Sequence, residues 1–294
     1  MIGMPGRSHR GALPPLSPEG KALAERLRKH VVQLSKAERN VDLDTPARYI
    51  ETALGPNAAS HYFESGGRKM RNIELACPQT SHVVVGAHYD TVPGSPGADD
   101  NASGVAALIE LVRLLGKEGL PIRFVAFANE EVAHLRTPDM GSWSWAERAK
   151  ERGEDVRAML SLEMLGYYDD ALGSQHYPAP LRLFYPDRAN FIAFVGDLGA
   201  RRLVRKAIAS FRRNAAFPSE GLAAPSFIPG VTWSDHWPFR QHGFPAIMVT
   251  DTSFYRYAHY HLPSDTAEKL DYERLARVTL GLAGVLRDLA SKNR

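Results

Sequence analysis

Between Gly86 and Gly104 the chain reads Gly-Ala-His-Tyr-Asp-Thr-Val-Pro-Gly-Ser-Pro-Gly-Ala-Asp-Asp-Asn-Ala-Ser-Gly, which sets His88, Asp90, Asp99 and Asp100 among turn residues. Acids gathered at the edge of a core need something to pair with their charge, and a metal ion is an economical partner for several at once. Later stretches add Asn129-Glu130-Glu131, Glu163, Asp235-His236 and Tyr260-His261. Each alone is weak, since a single Glu or His at the end of a strand more often caps a turn or faces solvent. Together, imidazoles and carboxylates around one cavity describe a metal site built from nitrogen and hard oxygen donors.

For these residues to meet, the intervening segments must return them to one edge. His82-Val-Val-Val85 is a short β-branched run that predicts a buried strand over 82–87, and residues 102–117 predict a buried helix after the loop. Apolar runs at 122–128 and 158–164 predict two more core strands, the first ending in Asn129-Glu130-Glu131 and the second at Glu163. Right-handed crossovers place the carboxyl ends of such strands along one side of the sheet, where α/β folds put their chemistry. Around this centre the pattern predicts helices at 18–35 (Ser17-Pro18 start), 45–54 (ended by Gly55), 142–152, 200–212 and 272–290. Further strands are expected at 62–64 and 71–76, joined across Gly66-Gly67, and at 191–195 and 246–250, with loops at 173–186, 217–230 and 259–266. Alternation of strands and helices predicts a three-layer α/β/α sandwich with a mixed, mostly parallel central sheet. No repeat or charge block divides the chain, so residues 17–294 read as one catalytic domain behind a flexible N-terminal tail at 1–16.

Of the 294 residues, 44% are hydrophobic and 9% aromatic, enough for an ordinary globular core. A net charge of +3, with the basic residues scattered among nearly as many acids, argues against a nucleic-acid partner. The basic residues between Arg201 and Arg213 read as the wet face of a helix. The single cysteine, Cys77, allows no intrachain disulfide and is expected buried at a strand end. No apolar run approaches a membrane span, and the first fifteen residues lack the apolar core of a signal peptide. The expected location is therefore cytoplasmic, or secreted if a leader is missing from the sequence, with no membrane partner. Oligomeric state is not legible.

The strings His88-Tyr-Asp90, Pro96-Gly-Ala-Asp-Asp100-Asn-Ala-Ser-Gly104, Asn129-Glu-Glu131, Ser161-Leu-Glu-Met-Leu-Gly166, Ser234-Asp-His236 and Tyr260-His261 occur in that order. Taken together they resemble the co-catalytic dizinc aminopeptidases, the family of bacterial leucyl aminopeptidases and aminopeptidase Y, over roughly residues 73–289. The resemblance implies a metal-dependent exopeptidase that removes N-terminal residues from peptides, with two zinc ions as cofactors and manganese or cobalt as the alternatives. It implies that His88, Asp100 and Glu163 hold one ion, that Asp100, Glu131 and His261 hold the other, and that the Asp100–Asn101 peptide is cis. It also implies Glu130 as the general base acting on a hydroxide held between the ions. The charges agree: three ligand carboxylates and one hydroxide balance two divalent cations. Adjacent residues of an extended segment point opposite ways, so Glu130 and Glu131 can serve as base and ligand only if the chain bends there.

Other residues admit two readings each. Asp90 either orients the His88 imidazole or sits in a solvated turn; Asp235 supports the same site or caps a turn; His236 is structural or touches the site. Tyr260 donates to an oxyanion or merely packs beside His261. Asp99 reads as shaping its loop. Aromatic residues around Tyr167-Tyr168, Phe227, Trp233 and Tyr255–Tyr257 line a pocket or belong to the core, with Trp233 leaning to the core. Two features depart from the family pattern. Glu163 stands where many members have Asp, and residues 132–140 intervene before Gly141-Ser142 where a Gly-Leu-x-Gly-Ser string usually follows the Glu pair; that longer loop is expected on the rim of the cleft. The competing functions are a glutaminyl cyclase-like acyltransferase, which keeps one zinc, another amide hydrolase of carboxypeptidase type, and a non-catalytic binding module. The expected substrate is a peptide or small amide.

Overall fold

The computed structural model describes residues 3–291; residues 1–2 of the expected tail and 292–294 of the expected domain lie outside them. The β-branched run forms the middle of β3 (Ser81–His88), buried along its length after Ser81. It pairs in parallel with β4 (Ile122–Phe127) on one side and β5 (Asp155–Glu163) on the other. Burial on both faces is why these strands read as continuous apolar runs rather than alternating ones. Strand β8 (Ala246–Thr250) lies parallel to β5, β6 (Ile192–Asp197) runs antiparallel to β8, and β7 (Ser219–Ala224) is parallel to β6. At the other edge β1 (Ala59–Ser65) and β2 (Arg68–Leu75) form the expected hairpin, and β2 joins β4 antiparallel. The hairpin turns on Gly66 and Gly67, both at positive φ, which glycine adopts without steric cost. The resulting mixed sheet has the order β1-β2-β4-β3-β5-β8-β6-β7.

Alternation along each strand feeds two helical layers. Val83, Val85 and Ala87 pack into the core shared with α1 (Pro18–Leu34), α2 (Asp44–Leu54), α3 (Gly104–Leu115), α5 (Arg201–Asn214) and α7 (Tyr272–Ala290). Val84, Val125 and Phe127 pack the other way, against α4 (Gly141–Glu151) and Phe239 of α6 (His236–Gln241). The sandwich is therefore three layers deep, as expected. The Ser17 side chain caps α1 by accepting from Gly20 N at 3.1 Å, with Pro18 in the first turn.

Three local features differ from the expectations. Residues 217–230, read as a loop, contain β7; its sequence, Ser-Glu-Gly-Leu-Ala-Ala, has no β-branched residue, and pairing with β6 makes it a strand. Helix α6 is one and a half turns long, too short to show a period. Cys77 lies beyond the end of β2 and is partly exposed rather than buried. The segment expected as a flexible tail contains no helix or strand over residues 3–16, yet it is tied to the β7 edge. Ser219 N donates to Ser8 Oγ at 2.8 Å, Arg212 donates to the carbonyls of Pro5 and Gly6, and Met4 and Leu13 pack on the core. Among the described residues no helix is long and apolar enough to cross a membrane.

Candidate metal centre

Strand ends deliver the first residues. His88 closes β3, Glu163 closes β5, and Glu130-Glu131 follow β4 by three residues. Asp100 arrives on a single wide helical turn at 98–103, where its backbone leaves helical geometry (φ −102°, ψ 87°) and the Asp100–Asn101 peptide is cis. Asp265 accepts from the backbone N of Asp99 (2.9 Å) and of Asp100 (3.1 Å), and is itself met by the Tyr257 hydroxyl at 2.8 Å. Asn101 stitches the turn to the end of β5: its Nδ2 donates to Leu162 O, and its Oδ1 accepts from Met164 N and Gly104 N. Asp99 shapes this loop, as expected, its Oδ1 accepting from Gly166 N at 2.8 Å.

The side chains converge around Asp100. His88 Nε2 lies 3.3 Å from Asp100 Oδ1 and 3.3 Å from Glu163 Oε1. His261 Nε2 lies 3.1 Å from Asp100 Oδ2 and 3.2 Å from Glu131 Oε2, yet it is buried there without hydrogen-bond geometry to either. His88, Asp100 and Glu131 can each offer a donor atom within 4.8 Å of the others. All five residues sequence reasoning named as ligands thus meet in one place.

The required bend between Glu130 and Glu131 is made one residue earlier. Asn129 sits at φ 68°, a left-handed conformation that Asn tolerates better than most residues, and its amide is held by Ser65 Oγ and Asp139 O. Asp90 then accepts from the backbone N of Glu130 (2.9 Å) and of Glu131 (3.1 Å), with its Oδ1 3.6 Å from His88 Nδ1. It is buried and hydrogen-bonded, not a solvated turn residue. Burial opposes its ionisation, but the His88 imidazole and those two amides hold its carboxyl below the usual range.

Crowding of buried acids sets the electrostatics. Burial, reinforced by Asp100, pushes Glu131 up to about 7. Glu130 is held well above the ordinary range by burial and by the Glu163 and Glu131 carboxylates, which outweigh the pull of His88. Asp100 goes the other way: despite burial, the two imidazoles keep it ionised. Burial disfavours a charged His261, but Asp100 and Glu131 raise it to about 10. Such a cluster is short of positive charge.

Two supports were not legible in the sequence. Arg39, fully buried between α1 and α2, donates to the carbonyls of Leu34, Tyr89, Pro96 and Gly97 and so fixes the loop that leads into the 98–103 turn. No spacing marks it as functional. Ser234 donates to Glu163 Oε2 at 2.7 Å and is linked to Ser161 Oγ at 2.7 Å; it stood inside the Ser-Asp-His string without a role. Asp235 is fully buried near the cluster, its carboxyl pushed up to about 7 by burial. His236 is structural: its ring donates to Val231 O at 2.8 Å, and it does not line the cavity. The Tyr260 ring stacks on His261, centroids 3.7 Å apart, and borders the site.

The cluster opens into a cavity of about 380 Å³. Val132 and Leu135 of the long loop stand at its rim, as expected. Trp233 and Tyr255 line it, so Trp233 is not a core residue; Phe227 is 80% exposed, whereas Tyr168 is buried in the main core. The cavity lies along the sheet face of β8, β6 and β7, under residues 177–185.

The profile of peptidase family M28 matches residues 72–286. The chain belongs to peptidase family M28. The M28 match spans the whole cluster, from β2 to α7, and makes the protein a zinc-type metallopeptidase by family. Its relatives include YfbL of Escherichia coli strain K12, an uncharacterized protein 39% identical over 290 residues, covering 92% of this chain and 88% of that one. Leucine aminopeptidase 1 of Ajellomyces capsulatus strain H88 is 27% identical over 219 residues, which are 68% of this chain and 51% of that protein. Among solved structures, the LapA aminopeptidase of Legionella pneumophila shares the fold with a TM-score of 0.70 at 19% identity, covering 97% of this chain and 78% of that one.

Proposed function

We propose that this M28 peptidase is an aminopeptidase working with two divalent ions, zinc foremost. His88, Asp100 and Glu163 would hold one ion, and Asp100, Glu131 and His261 the other. The observation that carries this reading is Asp100, whose two oxygens each face a different imidazole at 3.1–3.3 Å. Donors sharing a tetrahedral zinc at bonds of about 2.0–2.1 Å stand about 3.4 Å apart, which is close to the separations here. The unpartnered buried atoms His261 Nε2 and Glu131 Oε1 fit the same donor set.

When bound, two such ions withdraw charge from the scissile carbonyl and from the attacking water. The chain's own residues do the rest. Glu130, 3.9 Å from His88 Nε2 and outside both ligand sets, takes the proton from water and returns it to the leaving amine nitrogen as the C–N bond breaks. Asp90 positions both Glu130 and Glu131 through their backbone amides and faces Nδ1 of His88, which keeps Nε2 turned toward Asp100. The Tyr260 hydroxyl, kept protonated by burial and by the surrounding carboxylates, is a donor suited to the developing oxyanion. A glutaminyl cyclase-like reaction needs one ion, and the second imidazole set against Asp100 and Glu131 supports two.

The test combines metal content with turnover on a panel of aminoacyl amides, with and without chelator, beside Glu130→Gln. Expected are about two ions per chain, chelator-sensitive release of N-terminal residues, and a loss of about 10²–10⁴-fold in kcat for Glu130→Gln at unchanged metal content. One ion per chain together with cyclisation of N-terminal glutamine would replace this reading with the cyclase.

A further inference from the structure

The cavity does not end at the metal centre. The sheet register places four residues in one row across its floor: Glu163 of β5 is paired with Thr250 of β8, Thr250 with Ala193 of β6, and Ala193 with Glu220 of β7. Directly paired residues project from the same face of a sheet, and all four line this cavity. Three strand spacings of about 4.8 Å put Glu220 about 14 Å from Glu163 along the row. The two residues between them, Thr250 and Ala193, are small, so the floor is open from one carboxylate to the other. The adjacent row, Met248, Val195 and Leu222, is apolar, and Phe191, Ile228 and Val231 extend that character.

Among the described residues that line the cavity, Glu220 is the one charged side chain outside the metal-side cluster. Other polar groups nearby are already engaged. The hydroxyls of Tyr177 and Tyr185 donate to Pro186 O and Gly221 O, and the Gln175 amide is bonded to Thr252 and Arg256. Arg212, Ser8 and Arg10 surround the outer side of the Glu220 carboxyl, Arg212 as a long ion pair at 3.8 Å, and none of the three is among the residues that line the cavity. The Arg212 guanidinium donates to Ser219 O, Ser219 Oγ, Pro5 O and Gly6 O, and its approach to Glu220 is beyond hydrogen-bond range.

We propose that Glu220 is a specificity-determining residue that binds the cationic tip of the substrate's first side chain, so that the cavity selects N-terminal lysine or arginine. This rests on the aminopeptidase reading for where the substrate's carbonyl lies. An extended lysine spans about 7 Å from its carbonyl carbon to Nζ, and a charge-assisted N–H···O contact adds about 2.8 Å. Together they bridge the two strand spacings from Glu220 to a point above Thr250, beside Glu163. A leucine-length side chain stops short above Ala193. Apolar walls suit the methylene stem, as they do wherever lysine and arginine bury their stems and keep the charge at the end. Burial pushes the Glu220 carboxyl up against the combined pull of Arg212, Ser8 and Arg10, and an arriving cation favours its ionised form.

The decisive comparison is free L-lysine against L-norleucine, which keeps the four-carbon stem and lacks the terminal ammonium. Their affinities for the full-length metal-loaded protein and for Glu220→Gln would be measured by calorimetry, beside kcat/KM for lysyl, arginyl, norleucyl and leucyl amides. The expected result is lysine binding about tenfold or more tighter than norleucine, a ratio that collapses toward one in Glu220→Gln, with a matching loss on lysyl and arginyl amides and little change on leucyl amide. Equal affinities in the unaltered protein, or a lysine preference that survives Glu220→Gln, would overturn the proposal. Because ligand binding is read directly, a lysine preference that depends on Glu220 in a protein that hydrolyses no aminoacyl amide would uphold the subsite and reject the aminopeptidase reading alone.

Discussion

Two buried histidines, His88 and His236, show how neighbours decide what one side-chain type does. Burial works against charge on both. Around His88, the Glu163 and Glu130 carboxylates and the hydrogen-bonding Asp100 and Asp90 overcome it and hold the imidazole well above its ordinary value. His236 has only a carbonyl partner, and burial lowers it from 6.5 to about 4. Above 6.5 the ring is neutral in both the folded and the unfolded chain and is indifferent to pH. Between about 6.5 and 4 the unfolded chain takes up a proton that the folded chain refuses, so stability falls as the pH falls, by up to about 3 kcal/mol. Urea midpoints of the protein and of His236→Gln, compared between pH 7 and pH 4.5, should therefore converge as the pH drops. A pH-independent gap would mean that His236 is not buried as a neutral ring.

At the level of elements, the site is a meeting of strand ends held by loops. The carboxyl ends of β3 and β5 were readable because buried parallel strands announce themselves as short continuous apolar runs. The bend at Asn129 was readable only as a requirement, since adjacent Glu130 and Glu131 needed one; the left-handed Asn that supplies it looked like any loop residue. Arg39 was not readable at all. It belongs to the link between α1 and α2, and its importance lies in four carbonyl groups, three of them 50 or more residues away in sequence. Replacing it with Met should leave those buried acceptors unsatisfied and cost at least about 3 kcal/mol. The loss should be local: amide exchange at residues 89–100 is expected to quicken while β6 and β7 stay protected. Uniform acceleration along the chain would assign Arg39 to global stability instead.

Over the whole molecule, β1 and β7 are the exposed-edge positions of the sheet. Edges left open invite pairing with other chains. Here the β7 edge is covered by the N-terminal segment, through Ser8 on Ser219, the carbonyls of Pro5 and Gly6 on Arg212, and Met4 against Gly221. Removing residues 1–12 should destabilise the protein by about 2 kcal/mol or more, lowering Tm by a few degrees. Unchanged Tm would mean that these contacts add nothing net. The same segment places Ser8 and Arg10 near Glu220, so trimming should also alter the far end of the cavity.

The sequence by itself determined the fold class and named the five residues that the structure brings together in the candidate metal centre. Both show in local patterns: buried apolar runs for the strands, and chemically demanding residues in turns at the ends of those runs. Crossover handedness then leaves little freedom about which edge they share. Tertiary structure alone decided what lies across the sheet from that centre. Strand β7 has no local signature, Trp233 faces the cavity with its ring against Phe254, and Glu220 joins the row of Ala193, Thr250 and Glu163 through pairings that span 87 positions of sequence. Register between distant strands is set by the packing of whole faces, and no window of sequence contains it.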